Sequence, residues 1–400
     1  MTDHGLSNNE RDFDLPAGEP ARQFPTDDIS LCLSGGGFRA MLFHTGALWR
    51  LHEIGLLSRI TFFSSVSGGS ITNGWLALRW AQLAAGGADF ESVFVAPIRG
   101  LARQRVDVWA IMRGLLWGGV AKRVAKAYDR ALFGGASLQA LPDVPRFIFT
   151  SSNLQSGALW RFSKPYMGDY KVGRVPSPDL PLATAVAASS AFPPVLSPMI
   201  LKLPVDAYKP PAPSPALADP RYRSRVVLSD GGVYDNLGLE PIIKRTRTIL
   251  VSDGGMPFTT KPRPSSLWSS QILRVLDCED NQVRSLRKRD LIARYEIYDD
   301  LAQDHIDLSS RPGYRLVPRT GTYWGIRTAV SDYPVTGGLP CPPDLTARLA
   351  FISTRLSKMP EADQERLINW GYAVCDYAIR AHVAPSVAPA RDWPYRRGLG

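Results

Sequence analysis

The sequence contains few cysteines and few histidines, which limits the metal and redox chemistry open to it. It has 4 cysteines and 5 histidines in 400 residues. The cysteines are Cys32, Cys278, Cys341 and Cys375, and their wide separation excludes both a Cys-x-x-Cys zinc site and a compact disulfide framework. No stretch resembles a calcium-binding loop. We expect a protein that binds no metal or other cofactor and that resides in a reducing compartment.

The sequence also lacks the apolar segments of a secretory leader or a membrane span. Residues 1–27 are polar and carry acidic side chains where a signal peptide would be apolar, so we expect a disordered lead-in. The longest uncharged run extends from Leu180 to Leu201, and it contains four prolines that a lipid-exposed helix would tolerate poorly. We expect no signal peptide, no transmembrane segment and a cytoplasmic location, although specialised export stays open.

Positive charge exceeds negative charge along the chain. Lys and Arg total 47 against 37 Asp and Glu, which gives a formal net charge of +10 at pH 7. An anionic partner is therefore favoured, such as nucleic acid, a phospholipid surface or an acidic protein. The sequence has no zinc finger, no RNA-recognition motif and no long Lys/Arg block. We expect no nucleic-acid partner.

The order of apolar runs and glycine turns predicts an α/β fold. Strand patterns occur at residues 29–33, 60–66, 146–150, 225–229 and 248–252. Helical patterns separate most of these runs. This alternation predicts three layers, in which a central, mainly parallel sheet is flanked by helices.

The same pattern suggests how the chain is divided. We expect one catalytic domain over residues 28–260, with a basic insertion at about 99–130 and a Pro-rich loop at about 204–220. Residues 261–384 read as a helical C-terminal extension packed on the core. Residues 385–400 contain three prolines and are expected to form a flexible tail.

The stretch SSVSGGS, residues 64–70, places Ser67 at a turn between a strand and a helix. A nucleophile at such a turn needs small residues two positions before and after it, and Ser65 and Gly69 meet that need. The N–H of Gly68 would face a reacting oxygen, and the helix dipole would add positive charge. Ser65 departs from the usual Gly-x-Ser-x-Gly pattern, and a serine-rich turn that caps a helix is the alternative interpretation.

Two further glycine turns complete a candidate site. Gly35, Gly36 and Gly37 lie between a strand and a helix, where their N–H groups would hold an oxyanion, with Arg39 as support. The loop lacks the Gly-Lys-Ser/Thr and Gly-x-Gly-x-x-Gly spacings of nucleotide-phosphate loops.

A strand that ends at Asp230 supplies a candidate base. Gly231 and Gly232 follow Asp230 and would support the turn. A second Asp-Gly-Gly turn begins at Asp253, and we interpret it as mainly structural.

Four segments in this order resemble the patatin-like phospholipase family: LCLSGGGFRAMLFHTGALWRL, SSVSGGS, AVAASSAFPPV and LSDGGVYDNLG. The resemblance covers about residues 28–255. It implies a patatin-like fold and a lipid acyl hydrolase of the phospholipase A or lysophospholipase type, with a Ser-Asp dyad. By motif match, Ser67 would be the nucleophile, Asp230 the general base and Gly35, Gly36 and Gly37 the oxyanion loop.

The basic insertion at 99–130 offers a candidate membrane contact. Eight Lys and Arg residues are opposed there by two Asp, and the apolar side chains include Trp109 and Trp117. This mixture suits a helix at an anionic membrane interface or a lid over a lipid cleft, and hence peripheral membrane association. A core helix pair with a solvated basic face is the alternative.

Two other hypotheses stay open at this point. The first is a Ser-His-Asp esterase, in which His305 or His382 reaches the serine, since His44 and His52 read as structural or surface residues. The second is a membrane effector whose hydrolase activity is latent until a partner, self-assembly or a small ligand releases it. No motif in the sequence names such a ligand.

Overall fold

A mixed β-sheet forms the centre of the protein. The computed structural model describes residues 25–86, 88–104, 119–209, 215–303, 317–353 and 356–400. Its strands are β1 (Thr26–Leu33), β2 (Ile60–Ser65), β3 (Arg146–Asn153), β4 (Leu159–Phe162), β5 (Tyr166–Asp169), β6 (Gly173–Pro176), β7 (Met199–Lys202), β8 (Arg225–Asp230), β9 (Thr246–Asp253) and β10 (Thr320–Gly325).

Helices flank this sheet. They are α1 (Gly37–Glu53), α2 (Gly68–Ala84), α3 (Ala96–Ala102), α4 (Val120–Tyr128), α5 (Leu182–Ser189), α6 (Pro220–Arg223), α7 (Gly232–Asp235), α8 (Trp268–Gln303), α9 (Pro343–Ala350) and α10 (Glu361–His382). Single π-helical turns, Glu91–Val95 and Asp129–Phe133, adjoin α3 and α4.

The strand order is β10-β9-β1-β2-β3-β4-β5-β6, with β8 also paired to β3 and β7 paired to β8. The neighbours from β10 to β3 are parallel, whereas β3 to β6, β7 and β8 pair antiparallel. The predicted α/β class with a parallel centre is confirmed. Because the parallel strands β1 and β2 end side by side, the turns that follow them meet at one edge of the sheet.

Alternate residues of the central strands belong to different layers. In β1, Leu31 and Leu33 join the core cluster that contains α1, α2 and α10, whereas Cys32 joins a second cluster with Leu291 of α8. Successive side chains of a strand point to opposite faces, so both faces of the sheet are covered. This arrangement confirms the three predicted layers.

The C-terminal part of the chain completes these layers. Strand β10 extends the sheet beyond β9, and α10 packs directly on α1. A Cβ at Gly46 would collide with the backbone of Ile368, and one at Gly371 with the backbone of Phe43, so glycines allow the two helices to cross closely. The helical C-terminal region is therefore part of the core.

Residues 385–400, expected as a flexible tail, instead pack against α10 and α1. The side-chain N–H₂ of Asn369 donates to the carbonyls of Tyr395 and Gly398, both at 2.8 Å. Arg50 donates to the carbonyl of Ala388 at 2.6 Å. Proline removes backbone donors from this segment, but side chains of the two helices bond its carbonyls and hold it in place. Residues 1–24 of the expected lead-in and residues 210–214 of the Pro-rich loop lie outside the described residues.

Candidate active site

Ser67 lies in a strained turn between β2 and α2. Its backbone has φ 51° and ψ −119°, a left-handed conformation that is unusual for a residue with a side chain and costs on the order of 1–3 kcal/mol. A Cβ at Gly69 would lie 2.5 Å from the carbonyl oxygen of Leu33, and one at Gly68 would collide with the backbone of Gly37. The two glycines after Ser67 are therefore required for the close approach of the turn to β1 and α1.

Hydrogen bonds to buried serine hydroxyls stabilise this turn. The N–H of Ser67 donates to Ser189 Oγ at 2.9 Å, and Ser189 Oγ lies 2.9 Å from Ser70 Oγ. Ser70 Oγ donates in turn to Ser65 Oγ at 3.0 Å. The Ser65 hydroxyl, where the common pattern has glycine, thus bonds the first turn of α2. Because α2 begins at Gly68, Ser70 lies within its first turn.

Asp230 ends β8 with its carboxyl group buried. Its Oδ1 accepts a 2.7 Å hydrogen bond from the N–H of Gly232, whereas Oδ2 has no hydrogen-bond partner within 3.5 Å in the described part of the chain. Burial raises the pKa of Asp230 from 3.8 to about 7, against the hydrogen bond from Gly232 and the nearby Ser67 hydroxyl, both of which lower it. The negative charge of Asp280 raises it further. At neutral pH this carboxyl group can both accept and release a proton.

The glycine loop between β1 and α1 presents backbone donors beside Ser67. Gly36 and Gly37 have φ 141° and 58° and are partly exposed. Their N–H groups, and that of Gly68, find no acceptor among the described residues. Three donors at the starts of two helices make a suitable site for an oxyanion.

Gly35 differs from the expectation for this loop. Its N–H donates to the carbonyl of Asn236 at 3.1 Å, so it is not free to bind an oxyanion. A Cβ at this position would collide with Asn236 Oδ1 and lie 3.2 Å from the Cβ of Ser67. The contribution of Gly35 is space, because it lets Asn236 and Ser67 approach the same point of the chain.

The residues expected to support the site contact its backbone. Buried Arg39 donates to the Gly254 carbonyl at 3.1 and 2.8 Å and to the Ile352 carbonyl at 2.9 Å. A Cβ at Gly231 would lie 2.5 Å from the Thr150 carbonyl, so glycine is required where the chain leaves β8. Gly232 supplies the N–H that bonds Asp230.

No histidine in the described ranges hydrogen-bonds Ser67 or Asp230. The buried ring of His44 lies between Ser252 Oγ at 2.8 Å and the carbonyl oxygen of Ser34 at 2.9 Å, and burial lowers its pKa to about 4. His382 packs edge-on against Tyr333. His305 lies outside the described residues. Among the described histidines, no contact favours the Ser-His-Asp alternative.

The second Asp-Gly-Gly turn forms an ion-pair network at the same edge of the sheet. Asp253 Oδ2 accepts from Tyr323 Oη at 2.6 Å and lies 3.2 Å from Arg284 Nε. Burial raises the pKa of Asp253, but Arg284, Tyr323 and Gly255 more than offset this and the net pKa is lowered. Asp253 is thus a fixed carboxylate, which suits the structural role expected for it.

Several site contacts were not anticipated from the sequence. Asn236 and Ser189 lie in two of the four motifs, LSDGGVYDNLG and AVAASSAFPPV. The residues that they hydrogen-bond in the site belong to other elements. Asp280 and Arg284 lie in α8, where no local motif marks them. Burial raises the pKa of Asp280 to about 6, and a hydrogen bond from Asn236 places this carboxyl group beside the site.

The basic stretch at 99–130 is only partly described, because residues 105–118, including Trp109 and Trp117, lie outside the described ranges. Arg99 is buried, pairs with Glu365 at 2.9 Å and lies over the ring of Tyr395. In α4, Val124 and Tyr128 face the core, whereas the Lys and Arg residues are exposed. The described part therefore matches the alternative of core helices with a solvated basic face.

Neither a metal-ligand cluster nor a membrane-spanning helix occurs in the described ranges. Nowhere in these ranges do three or more His, Cys, Asp or Glu side chains cluster as a metal ion would require. The helices described are all too short or too polar to cross a membrane.

The sequence matches the family model described as Patatin-like phospholipase over residues 31–243, which is more than half of the chain. No curated protein matches it. Among solved structures, human GIVD cytosolic phospholipase A2 in complex with methyl gamma-linolenyl fluorophosphonate is 16% identical, with 92% of this chain and 59% of that chain covered and a TM-score of 0.48. VipD from Legionella pneumophila is 13% identical, with 89% and 66% covered and a TM-score of 0.35.

The chain thus spans less than two thirds of either structure, and TM-scores below 0.5 carry no weight for function. The family model stands independently of these two structures. It includes the glycine loop, the Ser67 turn and the Asp230 turn. The chain belongs to the patatin-like phospholipase family.

Proposed function

We propose that the protein is a lipid acyl hydrolase that cleaves ester bonds of phospholipids or lysophospholipids through Ser67 and Asp230. One observation carries the proposal. A strained serine lies beside a buried carboxyl group whose pKa is raised to about 7, and the hydroxyl is near enough to influence that pKa. Such a pair can transfer a proton at neutral pH without a histidine.

The proposed reaction begins when Ser67 Oγ attacks the ester carbonyl carbon and Asp230 accepts the hydroxyl proton. The N–H groups of Gly36, Gly37 and Gly68 stabilise the oxyanion that forms. The carbon–oxygen bond to the leaving alcohol then breaks, and Asp230 returns the proton to that alcohol. Water attacks the acyl-enzyme with Asp230 again as base, which releases the fatty acid and restores Ser67.

Two readouts test this proposal. Fatty acid released from phospholipid, lysophospholipid and glyceride vesicles is measured by mass spectrometry for wild type, Ser67→Ala and Asp230→Asn. Reaction with an alkyl fluorophosphonate, followed by peptide mass spectrometry, identifies the nucleophile directly. We expect wild type to release fatty acid and to be labelled at Ser67, and each variant to lose at least about 1,000-fold in rate.

Ser177→Ala is the matched control, because Ser177 also has a positive φ, of 42°, but lies on the surface outside the site. It should retain full activity. An active Asp230→Asn enzyme would contradict the dyad. Wild type that neither labels nor hydrolyses any ester would contradict the proposed activity itself.

A further inference from the structure

Large apolar side chains are exposed to solvent in segments that follow site residues and on the first turns of α8. Six of them, here called the apolar rim, are each between 41% and 71% exposed: Phe192, Val233, Met256, Trp268, Ile272 and Val275. Isolated exposed apolar residues are ordinary, but a group around one site indicates a contact surface.

Three members of the apolar rim lie within two residues of backbone groups that form or support the site. Phe192 follows Ala191, whose carbonyl accepts the N–H of Asp230 at 2.9 Å. Val233 follows Gly232, which bonds the Asp230 carboxylate. Met256 lies two residues beyond Gly254, the glycine whose carbonyl is held by Arg39.

The other three lie on the first turns of α8, spaced i, i+4 and i+7 on one face of the helix. Further along α8, Asp280 bonds Asn236 and raises the pKa of Asp230. The segment before the helix runs beside it, since the Met256 carbonyl lies 3.0 Å from Arg284 and the Phe258 ring 3.9 Å from Arg274. The loop that carries Met256 therefore packs along α8, next to the turns that carry Trp268, Ile272 and Val275.

Charge indicates what this surface contacts. From residue 254 to residue 276 the sequence has no Asp or Glu, and its charged residues are Lys261, Arg263 and Arg274. Lys261 and Arg263 are exposed and lie in the sequence between Met256 and Trp268 of the apolar rim. Tryptophan and aliphatic side chains with basic neighbours are typical of a helix in the interface of an anionic membrane.

We propose that the apolar rim docks on an anionic phospholipid surface, with Lys261 and Arg263 in contact with the headgroups, and that lipid esters reach Ser67 from there. The role given to this docking, supplying substrate to Ser67, rests on the proposed hydrolase function. It assigns the membrane contact to α8 and the loops around the site rather than to the basic stretch at 99–130.

Binding is measured separately from hydrolysis, in a Ser67→Ala background, by co-sedimentation with phosphatidylcholine vesicles that contain or lack phosphatidylglycerol. The test variant is Ile272→Ser/Val275→Ser. Its matched control is Leu154→Ser/Val144→Ser, because those side chains are 53% and 74% exposed against 52% and 54% for the test pair. Removing two interfacial side chains should weaken binding at least about tenfold, whereas the control should bind like the parent protein.

A charge variant and a label extend the test. Lys261→Glu/Arg263→Glu should weaken binding to vesicles with phosphatidylglycerol about tenfold. An environment-sensitive dye on Cys278, which is exposed one turn beyond Val275, should shift to shorter wavelength on vesicle addition. The dye is attached in a Cys341→Ser background, since Cys32 and Cys375 are buried.

The outcomes separate this inference from the proposed function. Hydrolysis of a short-chain water-soluble ester needs the Ser67 and Asp230 site but no membrane surface, so Ile272→Ser/Val275→Ser in the wild-type background should keep it. If wild type does not hydrolyse that ester, the proposed function is contradicted, whereas the binding result is unaffected. Equal binding by the test and control pairs would overturn the docking surface. So would a dimer that Ile272→Ser/Val275→Ser converts to a monomer, because a second copy would then be the occupant.

Discussion

Replacing Asp230 by asparagine should remove hydrolysis and make the folded protein more stable than wild type. This difference in stability should grow as the pH rises. The carboxyl group is buried, and its pKa is about 7 in the folded protein against 3.8 in an exposed aspartate. The unfolded chain therefore loses this proton first, and between pH 4 and pH 7 wild type loses stability relative to a variant that never ionises.

The magnitude follows from the two pKa values. Each pH unit between them contributes about 1.4 kcal/mol, so ionisation of Asp230 costs wild type under about 1 kcal/mol at pH 4 and ~4 kcal/mol at pH 8. Asparagine keeps an oxygen that can accept the Gly232 N–H, so this bond offers no competing loss. The neighbouring Asp280 titrates in both proteins, and most of its contribution cancels.

Thermal unfolding followed by circular dichroism from pH 4 to pH 8 measures this effect. We expect the Tm of Asp230→Asn to exceed that of wild type by several degrees at pH 8 and by little at pH 4. Asp143→Asn, at an exposed position, is the control and should show no such trend. A Tm difference that is constant with pH would refute the reasoning, because the cost would then not arise from a buried carboxylate.

Three further predictions follow from the site. The kcat/KM for a water-soluble ester should rise with pH to a plateau with its midpoint near 7, the pKa of Asp230, and a midpoint near 4 would exclude it as the base. Gly69→Ala should destabilise the fold by about 1–3 kcal/mol and lower that kcat/KM more than tenfold, measured by denaturation and initial rates, because its Cβ would lie 2.5 Å from the Leu33 carbonyl. Gly100→Ala is the control, since a Cβ there meets nothing within 4 Å, and normal activity in Gly69→Ala would show that the turn tolerates a side chain. Arg284→Met should cost about 3–5 kcal/mol by removing the cation that is paired with the buried carboxylate of Asp253, and an unchanged unfolding free energy would mean that this ion pair is not needed.

Local sequence was sufficient to locate the turns of the site. The left-handed conformation of Ser67 and the collisions that a side chain at Gly68 or Gly69 would cause are properties of a few adjacent residues. A nucleophile at such a turn needs small residues on both sides, and the residues around Ser67 meet that need, so its position was predictable. The strands β1, β2 and β8 were recognisable for a similar reason, because short apolar runs bounded by glycines have a clear period.

Contacts between distant segments were not predictable in the same way. The N–H of Gly35 is taken by the carbonyl of Asn236, about half the chain away, and the Ser67 N–H by Ser189. The final residues read as a flexible tail because they are rich in proline, yet Asn369 and Arg50 bond their carbonyls. Composition indicates how ordered a segment is by itself. Whether it packs in the folded protein depends on the hydrogen-bond donors and the surface that other segments present to it.

The sequence by itself determined the layered α/β class, the family, and the presence of a glycine loop, a serine and an aspartate at the ends of three strands. These features are encoded within windows of about ten residues, where period and glycine spacing act directly on the backbone. Only the tertiary structure decided which amides are free to bind an oxyanion, that the pKa of Asp230 rises to about 7, and that the first turns of α8 expose apolar side chains. Burial and charge at a point in space are sums over residues far apart in the chain, and folding is what brings those residues together.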